Sequence, residues 1–236
     1  NLLSAETVST LYDKILSRYE TDYNRDRPNL VQDTFSILHC SRHGLSENEL
    51  LEILGTNDNP LPVLFWSPLS IAGSAFLVNQ SGLLNIFQPS FQRALENRYL
   101  KFPDLKKKVH DKIAQYWIKK ESSPRKLIEL PWQLAQSQNY KNLAEVLSDM
   151  DFFDELYSKH EEDVMKYWNL IETKSTYRKE QAYQDIIAHY QDYPLKNLIH
   201  LADFFKKTGL VDEAYQLFEN LSKRCEEESN TDCLMN

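Results

Sequence analysis

Glycine is scarce in this chain, since only five of the 236 residues are Gly. A doubly wound nucleotide-binding fold uses glycine in its phosphate loop and in its tight turns. Neither G-x-x-x-x-G-K-[ST] nor G-x-G-x-x-G occurs anywhere in the sequence. The composition therefore disfavours a Rossmann fold and a β-sandwich, and it offers no phosphate loop.

Cysteine and long apolar runs are scarce as well. Cys40, Cys225 and Cys233 form an odd, widely spaced set, which fits a reducing compartment better than a disulfide framework. No stretch of 18 apolar residues occurs, so we expect no membrane span and no membrane partner. The chain begins with Asn1, and no signal-peptide pattern follows. We therefore expect a piece of a longer, cytoplasmic protein.

Positive charge is missing where a DNA-binding protein would need it. The chain has 35 acidic and 27 basic side chains, and no Lys or Arg lies between Arg42 and Arg93. A surface without cations loses the counterion release that supplies most non-specific affinity for nucleic acid. We expect no nucleic-acid partner and interpret the lysines at 106–108 as a solvated face. A nucleic-acid-binding winged helix stays the alternative function.

Apolar residues recur every three or four positions along most of the chain, which is typical of amphipathic helices. The first predicted helix covers residues 5–23. Ser46 and Glu49 predict a capping box, and Gly44 is the predicted C-cap of the helix before it. Apolar runs on both sides of Gly82 predict a β-hairpin within residues 74–88. We predict a mostly α fold, with a winged-helix unit and one short hairpin followed by an α-helical, tetratricopeptide-like array.

The last segment has the spacing of a tetratricopeptide repeat. In this interpretation Ala202 and Ala214 let two helices approach closely, Phe205 and Phe218 fill the space between them, and Gly209 forms the turn. One repeat cannot bury its own apolar face, so further repeats or a protein partner should cover its outer side. The predicted partner-binding residues are Tyr183, Tyr190, Leu198, Phe205 and Phe218. The alternative is that they only pack against each other, and we favour that alternative for Phe205 and Phe218.

The sequence offers no arrangement of residues for catalysis. No G-x-S-x-G motif occurs, and the S-x-x-K match at residues 123–126 lies in a predicted linker, where nothing would lower a lysine pKa. His39 and His43 stand four residues apart around Cys40 and could share a zinc ion, but no third ligand is indicated. We predict no catalytic residue, no metal and no cofactor, and we reject a hydrolase for this reason.

Three segments resemble a known family. They are LYDKIL at residues 11–16, SRHGLSENELL at residues 41–51, and LPWQL at residues 130–134 with the helical stretch after it. Together they resemble the region that follows the nucleotide-binding core in NACHT-type signal-transduction (STAND) ATPases, over most of residues 8–160. The resemblance implies a scaffold that contacts protein partners and an intramolecular ATPase core N-terminal to Asn1. It also implies a cytoplasmic place, ciliary or cytoskeletal in some members.

The residue patterns divide the chain into four parts. The order helix–helix–helix–hairpin predicts a winged-helix-like domain at 29–120, and the resemblance implies that the helical segment before it, at 1–28, is the end of an ATPase module. A helical array at 121–194 and a tetratricopeptide-like pair with a tail at 195–236 follow. Members of the family often place a nucleotide-sensing His after the wing, and Gln88 stands at that position here. Because Gln cannot become cationic, the resemblance implies weakened nucleotide sensing through this unit.

Overall fold

The fold was analysed in a computed structural model that describes residues 7–56 and 59–234. Helices make up 74% of the described residues, which also contain one two-stranded antiparallel hairpin. This confirms the predicted fold class, a mostly α chain with one hairpin followed by a helical array. Within the described residues, no helix is both long and apolar enough to cross a membrane.

The chain divides into two compact units, the first ending at Gln138 and the second starting at Asn139. The domain bounds predicted from the sequence are a finer division and stay predictions. The first unit contains seven helices and the hairpin within its described residues: α1 (Val8–Tyr23), α2 (Leu30–Cys40), α3 (Glu47–Leu54), α4 (Val63–Gly73), β1 (Leu77–Gln80), β2 (Leu83–Ile86), α5 (Pro89–Tyr99), α6 (Pro103–Ile118) and α7 (Pro124–Ser137).

Side-chain caps fix the starts of three helices in the first unit. Thr7 caps α1, and residues 5 and 6 of the helix predicted there lie outside the described residues. At α3 the capping box is present, because Ser46 Oγ accepts from the amide of Glu49 at 3.2 Å and Glu49 Oε2 accepts from the amide of Ser46 at 2.8 Å. Ser123 caps α7, so the S-x-x-K segment begins a helix and is not a linker.

The loop after α2 differs from the prediction. Helix α2 ends at Cys40, and Gly44 is not its cap. Gly44 has φ +80°, and a Cβ there would lie 2.3 Å from Nδ2 of Asn85. Leu45 pairs with Leu84 through two backbone hydrogen bonds of 3.1 and 2.7 Å, so this loop adds a bridge to the edge of the hairpin. Gly44 is therefore required by the close approach to Asn85 as well as by its left-handed backbone.

Charged side chains tie α1 to α5. Arg98 donates to Glu20 at 3.0 and 2.6 Å and also pairs with Asp13, while the hydroxyl of Tyr99 donates to Glu20 at 2.5 Å. The hydrogen bond from Arg98 lowers the pKa of Glu20. Helix α1 thus belongs to the first unit through specific side chains as well as through apolar packing.

A buried polar network joins α6 and α7 to the end of α2. The amides of Arg42 and His43 donate to the carboxylate of Glu129, which is 1% exposed, at 3.3 and 3.1 Å. Gln133 donates to Glu129 and to the carbonyl of Cys40, so its Oε1 is left to accept from His110 Nδ1 at 2.8 Å. Burial lowers the pKa of His110 to about 4, and its Nε2 has no hydrogen-bond partner.

The second unit contains helices joined by turns, and no strand occurs among its described residues. Its helices are α8 (Tyr140–Ser148), α9 (Met150–Lys174), α10 (Lys179–Ala182), α11 (Gln184–Ala188), α12 (Leu195–Lys207) and α13 (Val211–Leu234). Helix α9 is kinked at His160, where φ is −144° and ψ is 51°. A 3₁₀ turn, Tyr190–Asp192, stands between α11 and α12.

Candidate protein-binding surface

The turn between α12 and α13 is built as the sequence predicts. Gly209 adopts φ +86°, which L side chains rarely adopt, and a Cβ there would meet no atom within 4 Å. The amide of Leu210 donates to the carbonyl of Phe205 at 2.9 Å, and the amide of Thr208 donates to the carbonyl of Phe204 at 3.0 Å. These bonds end α12 and turn the chain back into α13, so the two helices form an α-hairpin.

Small side chains line the contact between these two helices. Ala202 is fully buried and Ala214 is 3% exposed, which agrees with their predicted role of allowing close approach. Phe205 is fully buried as well. Phe218, however, is 42% exposed, and its neighbour Leu217 is the fully buried residue of α13. The prediction that Phe218 fills the space between the helices is wrong, because the helix turns Leu217 inward at that level.

Three of the five predicted partner-binding residues lie in the core of the second unit. Tyr183, Leu198 and Phe205 have no exposed surface. A side chain without exposed surface cannot be touched by a partner in this structure, so their predicted surface role is corrected to a packing role. This is the alternative that the sequence analysis favoured for Phe205.

Tyr183 is held in that core by its hydroxyl group. The hydroxyl donates to the carbonyl of Leu147 at 2.6 Å and accepts from Nε1 of Trp168 at 3.2 Å. Its ring makes edge contacts with Phe153 and Phe205 at centroid distances of 5.6 Å each. Burial raises the pKa of this hydroxyl well above its usual value, so the group stays neutral.

The outer face of α13 carries an exposed apolar stripe, formed by Val211, Tyr215 and Phe218. Their exposed fractions are 62%, 72% and 42%. Positions four and seven residues apart lie on one side of a helix, so the three side chains share one side of α13, and the buried Ala214 and Leu217 lie to one flank of it. Phe218 keeps its predicted place at a partner surface, and this contact stays a prediction.

Tyr190 also stays a predicted partner contact. It is partly exposed and lies in the 3₁₀ turn ahead of α12. Arg224 of α13 donates to the backbone carbonyl of Tyr193 at 2.8 Å, which fixes this turn against α13. Tyr190 therefore lies on a turn that is hydrogen-bonded to α13.

The sequence analysis missed Val211 and Tyr215. The signal that would have found them is their spacing with Phe218, which repeats at three and four residues on α13. The same helix has a second apolar face, Ala214, Leu217 and Leu221, and only the structure shows which of the two faces is buried.

In the first unit, Gln88 and the His39–Cys40 segment, which the sequence analysis singled out, make contacts within the unit. Gln88 is the N-cap residue of α5, and its Oε1 accepts from the hydroxyl of Tyr12 at 2.8 Å. His39 lies 3.2 Å from Oε1 of Glu96, and burial raises the pKa of the Cys40 thiol to about 12. Within the described part of the chain, no group of three or more His, Cys, Asp or Glu could hold a metal ion.

Comparison with known proteins gives one relative. The chain is 29% identical over 212 residues to a TPR repeat-containing protein of Dictyostelium discoideum. The match covers 89% of this chain and 13% of that relative, so the chain spans about an eighth of the relative's length. No family model matches the chain, and no solved structure matches it.

The class that the fold and the comparison support together is a tetratricopeptide-like helical array. The α12–α13 hairpin has the buried alanines and the glycine turn that its repeat spacing predicted. Its exposed stripe is an apolar surface of the second unit that packing within the described residues does not cover. A tetratricopeptide relative suggests protein–protein interaction or scaffolding.

Proposed function

We propose that this chain is a non-catalytic scaffold segment of a larger protein and that it binds a protein partner through the outer face of α13. The observation that carries the proposal is the stripe of Val211, Tyr215 and Phe218, exposed to 62%, 72% and 42%. Large apolar side chains grouped on one helix face mark an interaction surface more often than scattered ones do.

The chemistry of the stripe defines the kind of partner. A tyrosine between two apolar side chains gives the stripe an apolar centre. Its hydroxyl can stay hydrated or form a hydrogen bond to the partner. An amphipathic helix with apolar residues at three- and four-residue spacings matches such a ridge. That helix can belong to a further repeat of the same protein or to another protein, and both are protein partners.

Protein recovery with matched variants tests this role. We expect Tyr215→Lys in the full-length protein to reduce the partner proteins recovered with it by about 10-fold, because a central anchor is lost and a charge is buried. The control is Tyr177→Lys, since Tyr177 is a tyrosine of the same unit with 40% exposure outside the stripe. Equal recovery with both variants, at unchanged thermal stability, would contradict the proposal.

We further propose a STAND context for the longer protein. The support is the resemblance of residues 11–16, 41–51 and 130–134 to the region after a NACHT-type nucleotide-binding core. In this arrangement the first unit is a winged-helix module that packs against the core and stays in the cytoplasm. The helix–helix–helix–hairpin order of α2, α3, α4 and β1–β2 is the order of such a module.

In this context Gln88 takes the place of a nucleotide-sensing His without taking over its charge. Its Oε1 already accepts from Tyr12, so we propose that this unit responds weakly to bound nucleotide. The full-length coding sequence tests the context, because a G-x-x-x-x-G-K-[ST] loop should precede Asn1. A full-length protein without that loop would contradict the STAND context and leave the scaffold role standing.

A further inference from the structure

Residues 59–92 contain no Asp, Glu, Lys, Arg or His. Charged residues make up 26% of the chain, so this gap is unusual. The segment comprises α4, the hairpin and the start of α5. Had the segment been wholly buried, the lack of charge would need no explanation, but a large part of it is exposed.

Helix α4 is apolar on both sides. Its inner side buries Trp66 and Leu69, and Gly73 lets the helix approach Phe35, whose Cζ would be 3.4 Å from a Cβ at that position. Its outer side exposes Leu64 to 78% and Ile71 to 76%.

Pro68 lies between these two on the same side, four residues after Leu64 and three before Ile71, and it is exposed. Val63 adds a further side chain with 52% exposure. We call the four residues Val63, Leu64, Pro68 and Ile71 the α4 ridge.

The absence of charge at the ridge indicates what covers it. A partner of different sequence is commonly selected by charges that complement its own, and α4 has none to offer. At a two-fold interface, in contrast, residues near the axis face their own copies, so any charge there meets a like charge. Each copy of this chain carries a net charge of −8, and a charge-free patch is where two copies approach with least repulsion.

We propose that the α4 ridge is a self-association surface, which packs against the α4 ridge of a second copy of this chain in an isologous dimer. Charged residues are depleted from the centres of such interfaces, as they are here. This inference is independent of the α13 stripe and of the STAND context.

Sedimentation equilibrium of the purified chain tests the proposal. We expect a reversible dimer at concentrations up to about 100 μM. Raising the salt concentration from about 0.05 to about 0.5 M should strengthen it, because salt screens the repulsion between the two net charges and there is no interfacial ion pair to weaken.

Single substitutions on the α4 ridge test whether it forms the dimer contact. Leu64→Lys and Ile71→Lys should each weaken the dimer by at least about 10-fold, because each puts a charge opposite its own copy. Both side chains are more than three-quarters exposed, so thermal unfolding of the monomer, measured at a concentration too low for the dimer to form, should be unchanged. The control is Phe102→Lys, which makes the same charge change at a side chain of the same unit with 63% exposure.

A chain that stays monomeric throughout this range overturns the proposal and leaves the ridge to a different partner. A dimer that the two α4 variants do not weaken, or that Phe102→Lys weakens equally, overturns it as well.

Discussion

At the scale of single residues, the hydroxyl of Tyr183 explains why the core of the second unit has one arrangement. It is a polar group inside an aromatic cluster, and it satisfies both the carbonyl of Leu147 and Nε1 of Trp168. A buried hydroxyl with both partners in place stabilises one geometry, since any other arrangement leaves buried polar groups unpaired.

Removing that hydroxyl should therefore be costly. We expect Tyr183→Phe to lower the free energy of unfolding by about 1–3 kcal/mol, because a buried carbonyl and a buried N–H lose their partner. Tyr177→Phe, at a position with 40% exposure, should change it little. Chemical denaturation followed by circular dichroism measures both. An unchanged midpoint for Tyr183→Phe would show that the hydroxyl does not hold the core.

His110 gives the first unit a pH dependence with a defined sign. Its folded-state pKa is about 4, whereas an unfolded chain has a histidine pKa near 6.5. The unfolded state therefore takes up this proton first as the pH falls, so the stability is complete above about pH 6.5 and decreases towards pH 4, by about 3 kcal/mol in all.

Replacing the histidine isolates its part of that slope. His110→Gln removes the titrating group, so the fall in unfolding free energy between pH 6.5 and pH 4 should become shallower than in the wild type. The lowered pKa of His39, also caused by burial, adds a smaller slope of the same sign in both proteins. Parallel pH profiles for the two proteins would contradict the assignment.

At the scale of secondary structure, the α12–α13 hairpin depends on the left-handed backbone of Gly209. Gly209→Ala should destabilise the second unit by about 1–2 kcal/mol, because only the backbone is strained and no atom lies within 4 Å of the new Cβ. Gly209→Asn should cost less, since Asn tolerates this conformation better. Thermal unfolding of both variants measures the difference, and equal stability of Gly and Ala proteins would rule out the strain.

Local sequence signals predicted the helix start, the hairpin and the helix turn well, because each of these depends on only a few neighbouring residues. The capping box of Ser46 and Glu49, the hairpin around Gly82 and the turn at Gly209 all have the residue types that their backbones need. The fold class followed from these signals together with the helical period.

Contacts between residues that are far apart in the chain could not be predicted from the sequence. Glu129 is on a helix with ordinary amphipathic spacing, and its partners at Arg42 and His43 are 87 and 86 residues away. Two neighbouring residues, Leu217 and Phe218, fit the same spacing equally well, and packing alone decided which one is buried. Tyr183 was placed on the surface for the same reason.

At the scale of the whole molecule, the sequence contains neither a G-x-x-x-x-G-K-[ST] loop nor a G-x-G-x-x-G motif. We expect the purified chain to show no ATP or GTP hydrolysis, because its sequence lacks both phosphate-loop motifs. Turnover that survives repurification and is abolished by a point substitution in this chain would refute this.

Duplex DNA should bind weakly, with a dissociation constant of about 10⁻⁴ M or higher at physiological salt. The basic cluster at residues 106–108 is the best candidate for a phosphate contact, but two of its lysines already pair with carboxylates. Lys106 lies 3.2 Å from Glu96, and Lys107 lies 4.0 Å from Asp104. Fluorescence anisotropy measures the affinity. Tight, steeply salt-dependent binding that is lost on replacing Lys106, Lys107 and Lys108 would favour the nucleic-acid alternative.

The most direct measurement of the scaffold role is site-specific photo-crosslinking in the full-length protein. If the α13 stripe binds protein, as we propose, a photoreactive phenylalanine at position 215 should crosslink to protein, either a later helix of the same chain or a partner. The same group at position 177, on an exposed tyrosine outside the stripe, should give little crosslinking. If position 215 crosslinks no more than position 177, the α13 stripe is not a protein-binding surface and the account is wrong.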